Sequence, residues 1–171
     1  MTIDENEAES RTVAPKAVYD YWQSTVAKDP HYNSEVQNLA ILFLDGNCSI
    51  TGYKIVTQGL RDKLLFGYKE VFQPLAATGC DKFAVAHNHP AGSVEPEDED
   101  ISATQAIVKG SEALGLEMKD SLIIGAGDKP WFSMREACLE HALANREREG
   151  IWGGTTERER RRIHRQRRKS A

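Results

Sequence analysis

The chain has 171 residues, of which 40% are hydrophobic and 28% charged, and its formal net charge is -4. That length suits one domain, and the apolar content is enough for one core, which excludes a wholly disordered chain. No apolar run approaches the ~20 residues needed to cross a bilayer, and the acidic start MTIDENEAES reads against a secretory signal.

Residues 1–12 are charged and carry no apolar period, so a disordered acidic segment is expected there. From Pro15 to Ala27 the spacing of Val18, Tyr21, Trp22 and Val26 predicts a helix. Leu39–Leu44 is a continuous apolar run of strand length, and Asp45-Gly46-Asn47 is a turn. Ser49–Thr57 alternates loosely, so the two segments read as a hairpin. Leu64–Ala77 predicts a second helix, with Gly79 just beyond its end. Lys82–Ala86 reads as a buried strand running into His87. After a loop, Pro96 suits the first turn of a third helix, whose buried stripe is expected at Ile101, Ile107, Val108 and Leu114. Ser121–Gly125 and Trp131–Ser133 are further strands, and Met134–Asn145 is a final helix. Interleaved strands and helices place the fold in the α/β or α+β class, with a mixed sheet.

Three cysteines, Cys48, Cys80 and Cys138, are widely spaced and form no CxxC pair. They predict free thiols in a cytoplasmic protein and argue against a cysteine-based zinc site. From Thr155 to Ala171, eight Arg/Lys face two Glu, a net +6, which leaves about -10 for the remainder. This basic tail, taken as 148–171, is either a solvated end or a contact for nucleic acid.

The segment with chemistry in it is HNHPAGSVEPEDED, residues 87–100. His87 and His89 are two apart at a strand end, so their side chains point to one face. Asp100 follows eleven residues later, on the first turn of the next helix. Two neutral imidazoles and one carboxylate are a familiar catalytic zinc set, leaving one position for water. The bland alternative is two polar loop histidines. The adjacent letters HNH are not evidence for an HNH nuclease, whose three residues need not be adjacent. The zinc deaminase signature is missing, since no PCxxC follows. Asp98 and Glu99 suit the positive end of a helix dipole. Glu97 shares a helical face with Asp100, three residues on.

These residues resemble the RadC-like branch of the JAB/MPN (JAMM) metalloprotease superfamily. The superfamily spacing is HxH, seven residues, Ser, two residues, Asp, and His87, His89 and Asp100 fit it. Thr57-Gln58-Gly59-Leu60 is similar to the branch's Ser-x-Gly-Thr-Leu, and Lys69–Phe72 to its Pro-Arg-Glu-Val-Phe. Asp120–Gly125 is similar to its Asp-His-x-Ile-x-Gly, and Phe132–Glu136 to its terminal Ser-Phe-x-Glu. The resemblance implies a JAB/MPN domain over 13–147, with a mixed curved sheet flanked by helices. It also implies Zn2+ as cofactor, hydrolysis of an amide or isopeptide bond in a peptide or protein substrate, and a name associated with DNA repair.

Two departures bear on activity. Glu97 stands where the family has a serine that stabilises the tetrahedral intermediate, and an ionised Glu97 would repel an oxyanion. Gln37 stands eight residues before Asp45, where the family has its glutamate general base. Glu35 would share that strand face if the first strand began early enough. The rival expectation is therefore a catalytically weakened zinc scaffold that binds protein or nucleic acid. A metal-dependent nuclease is a third reading, which the tail permits and the motif does not require.

Overall fold

A computed structural model describes residues 12–59, 66–128 and 130–137. The expectations for the acidic segment up to residue 11, the basic tail, and the last helix from Cys138 onward lie outside those residues.

The chain forms α1 (Pro15–Ser24), β1 (Asn38–Leu44), β2 (Ile50–Gln58), α2 (Tyr68–Thr78), β3 (Lys82–Asn88), α3 (Asp98–Ala113), β4 (Glu117–Ile124) and β5 (Trp131–Ser133). The strands build one mixed sheet in the order β2-β1-β3-β4-β5. β1 is antiparallel to both neighbours, β3 and β4 are parallel, and β5 returns antiparallel. This is the α/β class with a mixed sheet and flanking helices.

The sequence explains the central position of β1 and β3. Leu39–Leu44 and Phe83–Ala86 are apolar on both faces, as a strand covered on both sides must be. Alternation then sorts them. Ala40, Leu42, Ala84, Ala86, Leu122 and Ile124 face one core with Val18 and Trp22 of α1. Leu39, Ile41, Phe83 and Val85 face the other, with Val71 and Leu75 of α2 and Ile107 of α3. The hairpin joining β1 to β2 is held by Asp45, whose Oδ1 accepts from the N–H groups of Asn47 (2.8 Å) and Ser49 (2.9 Å).

Several boundaries differ from expectation. α1 ends at Ser24 and a short 3-10 turn covers Val26–Lys28, which still buries Val26. α2 starts at Tyr68, with Gly67 as its extended N-cap; residues 64 and 65 lie outside the described set. Gly79 ends α2 in the left-handed conformation at φ 66°, where a Cβ would add strain. β4 begins at Glu117, four residues earlier than the apolar run suggested, because its first half is polar.

The buried stripe of α3 also differs. Only Ile107 of the four expected positions is buried; Val108 is half-buried, and Ile101 and Leu114 are 39% and 60% exposed. The face toward the sheet is Asp100, Ile107 and Ser111, with Thr104 hydrogen-bonding Ser121 at 3.1 Å. The helix turns a carboxylate inward at its start, and that rotates the apolar positions away from the pattern expected of an ordinary amphipathic helix.

Candidate metal centre

β3 runs two residues further than expected, so His87 lies within it and His89 one residue beyond. The parallel β3–β4 pair requires a crossover, and α3 supplies it. The turn from β3 into α3 therefore sits at the carboxyl end of two parallel strands, where open α/β sheets place their ligands.

The turn is anchored at close quarters. His89 N–H donates to Ile124 O (2.9 Å), Gly92 N–H to His89 O (2.9 Å), and Ala126 N–H to Gly92 O (3.0 Å). A Cβ on Gly125 would lie 2.5 Å from Gly92 O and 2.5 Å from Val94 Cγ1, so only glycine lets the turn approach β4 this closely. At the helix start, Glu97 N–H donates to Asp100 Oδ2 at 2.8 Å.

These constraints bring His87, His89 and Asp100 together, and all three are buried. The two Nε2 atoms are 3.2 Å apart. Asp100 Oδ1 is 3.0 Å from His87 Nε2, and Oδ2 is 3.3 Å from His89 Nε2. A buried carboxylate among imidazole nitrogens, each residue offering one ligand atom, is a group that could bind a metal ion. The charges of the group lean on one another. Burial pushes Asp100 up, but hydrogen bonds from His87, His89 and the Glu97 N–H, with the charge of His87, hold it well below the ordinary carboxylate range. Burial pushes His89 down, yet Asp100, the charge of Glu97 and a hydrogen bond to the Ser93 backbone outweigh it and hold the ring above its ordinary value.

The other candidate residues fall in different places. Glu97 is exposed at the N-cap of α3, near enough to His89 to act on its charge. Glu35 is exposed in a turn, its N–H donating to Asn33 Oδ1 at 3.0 Å. β1 begins at Asn38, so the condition that would have put Glu35 on the strand face is not met. Gln37 immediately precedes β1 and is only 4% exposed. Leu39 pairs with His87, and continuing that register puts Gln37 opposite His89 on the same face. Its backbone carbonyl accepts from Gly59 N–H (2.8 Å), while its side-chain Oε1 is buried without a hydrogen-bond partner among the described residues.

Sequence reasoning missed a clamp behind the site. Asn88, between the two histidines, points to the opposite face of the sheet. Its Oδ1 accepts from Asn38 N (2.9 Å) and Asn38 Nδ2 (2.9 Å), and its Nδ2 donates to Val36 O (3.0 Å). The partners are about fifty residues apart in sequence, and no local pattern announces them; the lone polar residue between two ligands was the available signal.

A mixed sheet with a His-His-Asp group that could bind a metal, at the carboxyl ends of its parallel pair, defines the class, and similarity to known proteins narrows it. The model of the RadC-like JAB domain matches residues 12–140, and the chain belongs to that family. It is 36% identical over 100 residues to a UPF0758 protein of Trichormus variabilis, covering 58% of this chain and 40% of that one. It is 30% identical over 115 residues to a UPF0758 protein of Pseudomonas fluorescens, covering 67% and 49%. The chain thus spans less than half the length of these relatives. A second, shorter match, to the model of the transcription factor WhiB, covers residues 133–163.

Proposed function

We propose that the chain is a zinc-holding JAB domain with metallopeptidase-type chemistry, acting on an amide or isopeptide bond of a peptide or protein, and that its turnover is low. The observation that carries this reading is the convergence of His87, His89 and Asp100 at separations of 3.0 to 3.3 Å. The 3.0 and 3.3 Å contacts use different oxygens of Asp100, and with one ligand atom from each residue the set lies within 4.8 Å; two imidazole nitrogens and a carboxylate oxygen fit zinc in kind.

When bound, zinc supplies Lewis acidity and a water whose pKa is lowered to about 7. The chain supplies the rest. His87, His89 and Asp100 hold the ion, and the hydrogen bonds around Asp100 and His89 fix their orientation, as outer partners of metal ligands do. Gln37 occupies the position from which a carboxylate would move the proton, and a carboxamide cannot. Glu97 sets a negative charge at the N-cap of α3, where a neutral donor would favour a developing oxyanion. General acid–base groups contribute about 10²–10⁴-fold in rate. The purified chain should therefore carry about one zinc with little peptidase activity. Gln37→Glu should raise turnover by a measurable part of that range, and adding Glu97→Ser should raise it further. A native chain that hydrolyses peptides well, and gains nothing from Gln37→Glu, would overturn the assignment of Gln37.

A second reading, nucleic-acid binding through the basic tail, is favoured by the tail's net +6 and by the similarity of residues 133–163 to a transcription factor model. Phosphate contacts release counterions, so affinity should fall steeply with salt. Removing Glu157–Ala171 should abolish most binding, and equal affinity of the shortened chain for DNA would exclude the tail as the contact.

A further inference from the structure

β2 closes one end of the five-stranded sheet, with β1 on its inner side. An open groove of about 750 Å³ follows its outer side, lined by six consecutive residues, Tyr53–Gln58, and by Asp29 and His31. Strand side chains alternate between faces. Tyr53 and Ile55 pack with the α1 core, whereas Val56 packs with the α2 core. A groove that touches residues of both faces in one run must lie along the edge of the strand. There it meets the main-chain N–H and C=O groups turned away from β1, a template for a further strand.

The α1 side of the groove is fixed by its own bonds. Tyr53 Oη donates to Asp29 Oδ2 (2.6 Å), the His31 N–H donates to Asp29 Oδ1 (2.8 Å), and Gln58 Nε2 donates to the His31 carbonyl. The Tyr53 hydroxyl and the His31 N–H hold Asp29 below the ordinary carboxylate range, and the same bond pushes Tyr53 up to about 12. This side therefore carries a standing negative charge. Lys54, between Tyr53 and Ile55, projects from the opposite face and is exposed. The two faces of the edge thus carry opposite charges at neighbouring positions along the strand.

These charges select the occupant. A strand laid beside β2 also sends successive side chains to alternate faces, so a basic residue beside Asp29 places the next one beside Lys54. A second copy of β2 fits poorly. Lys54 is the midpoint of Ile50–Gln58, so two-fold antiparallel pairing over the full strand sets the two lysines directly opposite, and like charges so placed are destabilising.

We propose that the outer edge of β2 is a docking surface for an extended segment of a partner protein in which basic and acidic side chains alternate. The segment adds to the sheet as a further strand: its main chain bonds to β2, a basic side chain lies against Asp29, and the acidic one next to it lies against Lys54. The surface is separate from the candidate metal centre, because β1 stands between β2 and the strand that carries His87.

The probe is a fluorescein-labelled peptide alternating arginine and glutamate, as long as β2, added to the full chain. Its control holds the same residues in two blocks, which keeps any attraction to the basic tail. The alternating peptide should bind about tenfold more tightly by fluorescence anisotropy, the sum of several cross-strand pairs. It should also slow hydrogen exchange at those amides of Tyr53–Gln58 that do not pair with β1. N-methylation of every second residue of the peptide should abolish binding, since main-chain donors carry strand addition. Asp29→Asn and Lys54→Gln should each weaken it about two- to fivefold, as exposed ion pairs do. Equal affinity of the alternating and block peptides overturns the proposal, and so does undiminished binding of the N-methylated one. Slow exchange of those outward amides without any peptide overturns it as well: if it grows with protein concentration a second copy fills the edge, and if it does not the chain's own residues fill it.

Discussion

Two aspartates, Asp100 and Asp120, are almost equally buried, 4% and 1% exposed, yet their carboxyl groups are shifted in opposite directions. Burial raises both. Asp100 faces two imidazoles, which overcome it and hold the group below the usual carboxylate range. Asp120 is surrounded by its own chain's donors: Ser121 N (2.7 Å), Ser133 Oγ (2.8 Å to Oδ2), and Arg135 N (3.2 Å). Even so, burial outweighs Arg135, Ser133 and the backbone donors and pushes Asp120 up to about 6. The contrast separates a carboxylate in a group that could bind a metal from one that fastens a fold. The donors of Asp120 come from β4 itself, from β5 and from the residues beyond it, so it joins the last two strands. Those of Asp100 include the histidines an ion would share.

The largest expected effect follows from this difference. His87→Ala combined with His89→Ala should abolish zinc binding with the fold largely kept, read as zinc content and a far-ultraviolet spectrum. Unchanged zinc content would sink the site. Competition by protons should be visible too. Because Asp100 holds His89 above its ordinary value, protons should compete with zinc for the ring, and zinc affinity should fall as pH is lowered, since an imidazolium is no ligand.

Asp120 gives the next effect, with a definite sign. Its folded-state value lies above the unfolded one, so folding takes up a proton between about pH 4 and 6. The associated stability is fully present on the acid side and is lost as pH rises through about 6. The rise from 3.8 to about 6 corresponds to on the order of 3 kcal/mol. Asp120→Asn should flatten that part of the stability profile in chemical denaturation; an unchanged slope would show that Asp120 does not titrate there. Smaller again, Gly125→Ala should cost about 1–3 kcal/mol by overpacking against the metal-side turn. It should also weaken zinc binding, and an alanine variant matching the native chain in both would show that the close approach to Gly92 is not required.

The convergence of His87, His89 and Asp100 was legible because its geometry is local. Two residues on one strand face and one on the next helix's first turn need only the strand period and a short loop. The hairpin and the buried β1 and β3 were legible for a similar reason, since a short segment apolar on both faces has to be covered on both sides. What escaped depended on partners far along the chain. The polar first half of β4, with Asp120 inside it, reads as loop until Ser133 and Arg135 are known to face it. Ile101 and Leu114 were assigned inward on apolarity alone, whereas Asp100 decides which face of α3 meets the sheet. The turn that keeps Glu35 off β1 is set by Asn38, whose Nδ2 donates to Asn33 O (2.8 Å) and Val36 O (2.9 Å), contacts invisible in the hydrophobic pattern.

The placement of Asn88 between the two histidines has a dynamic consequence. Strand alternation turns His87 and His89 to one face and Asn88 to the other, so three consecutive residues grip both sides of the sheet. An ion that stiffens the backbone at 87 and 89 stiffens residue 88 with it, and through Asn88 the carbonyl of Val36 and the N–H of Asn38. Slowed hydrogen exchange where the chain enters β1 would then report, from the opposite face, whether the ion is in place.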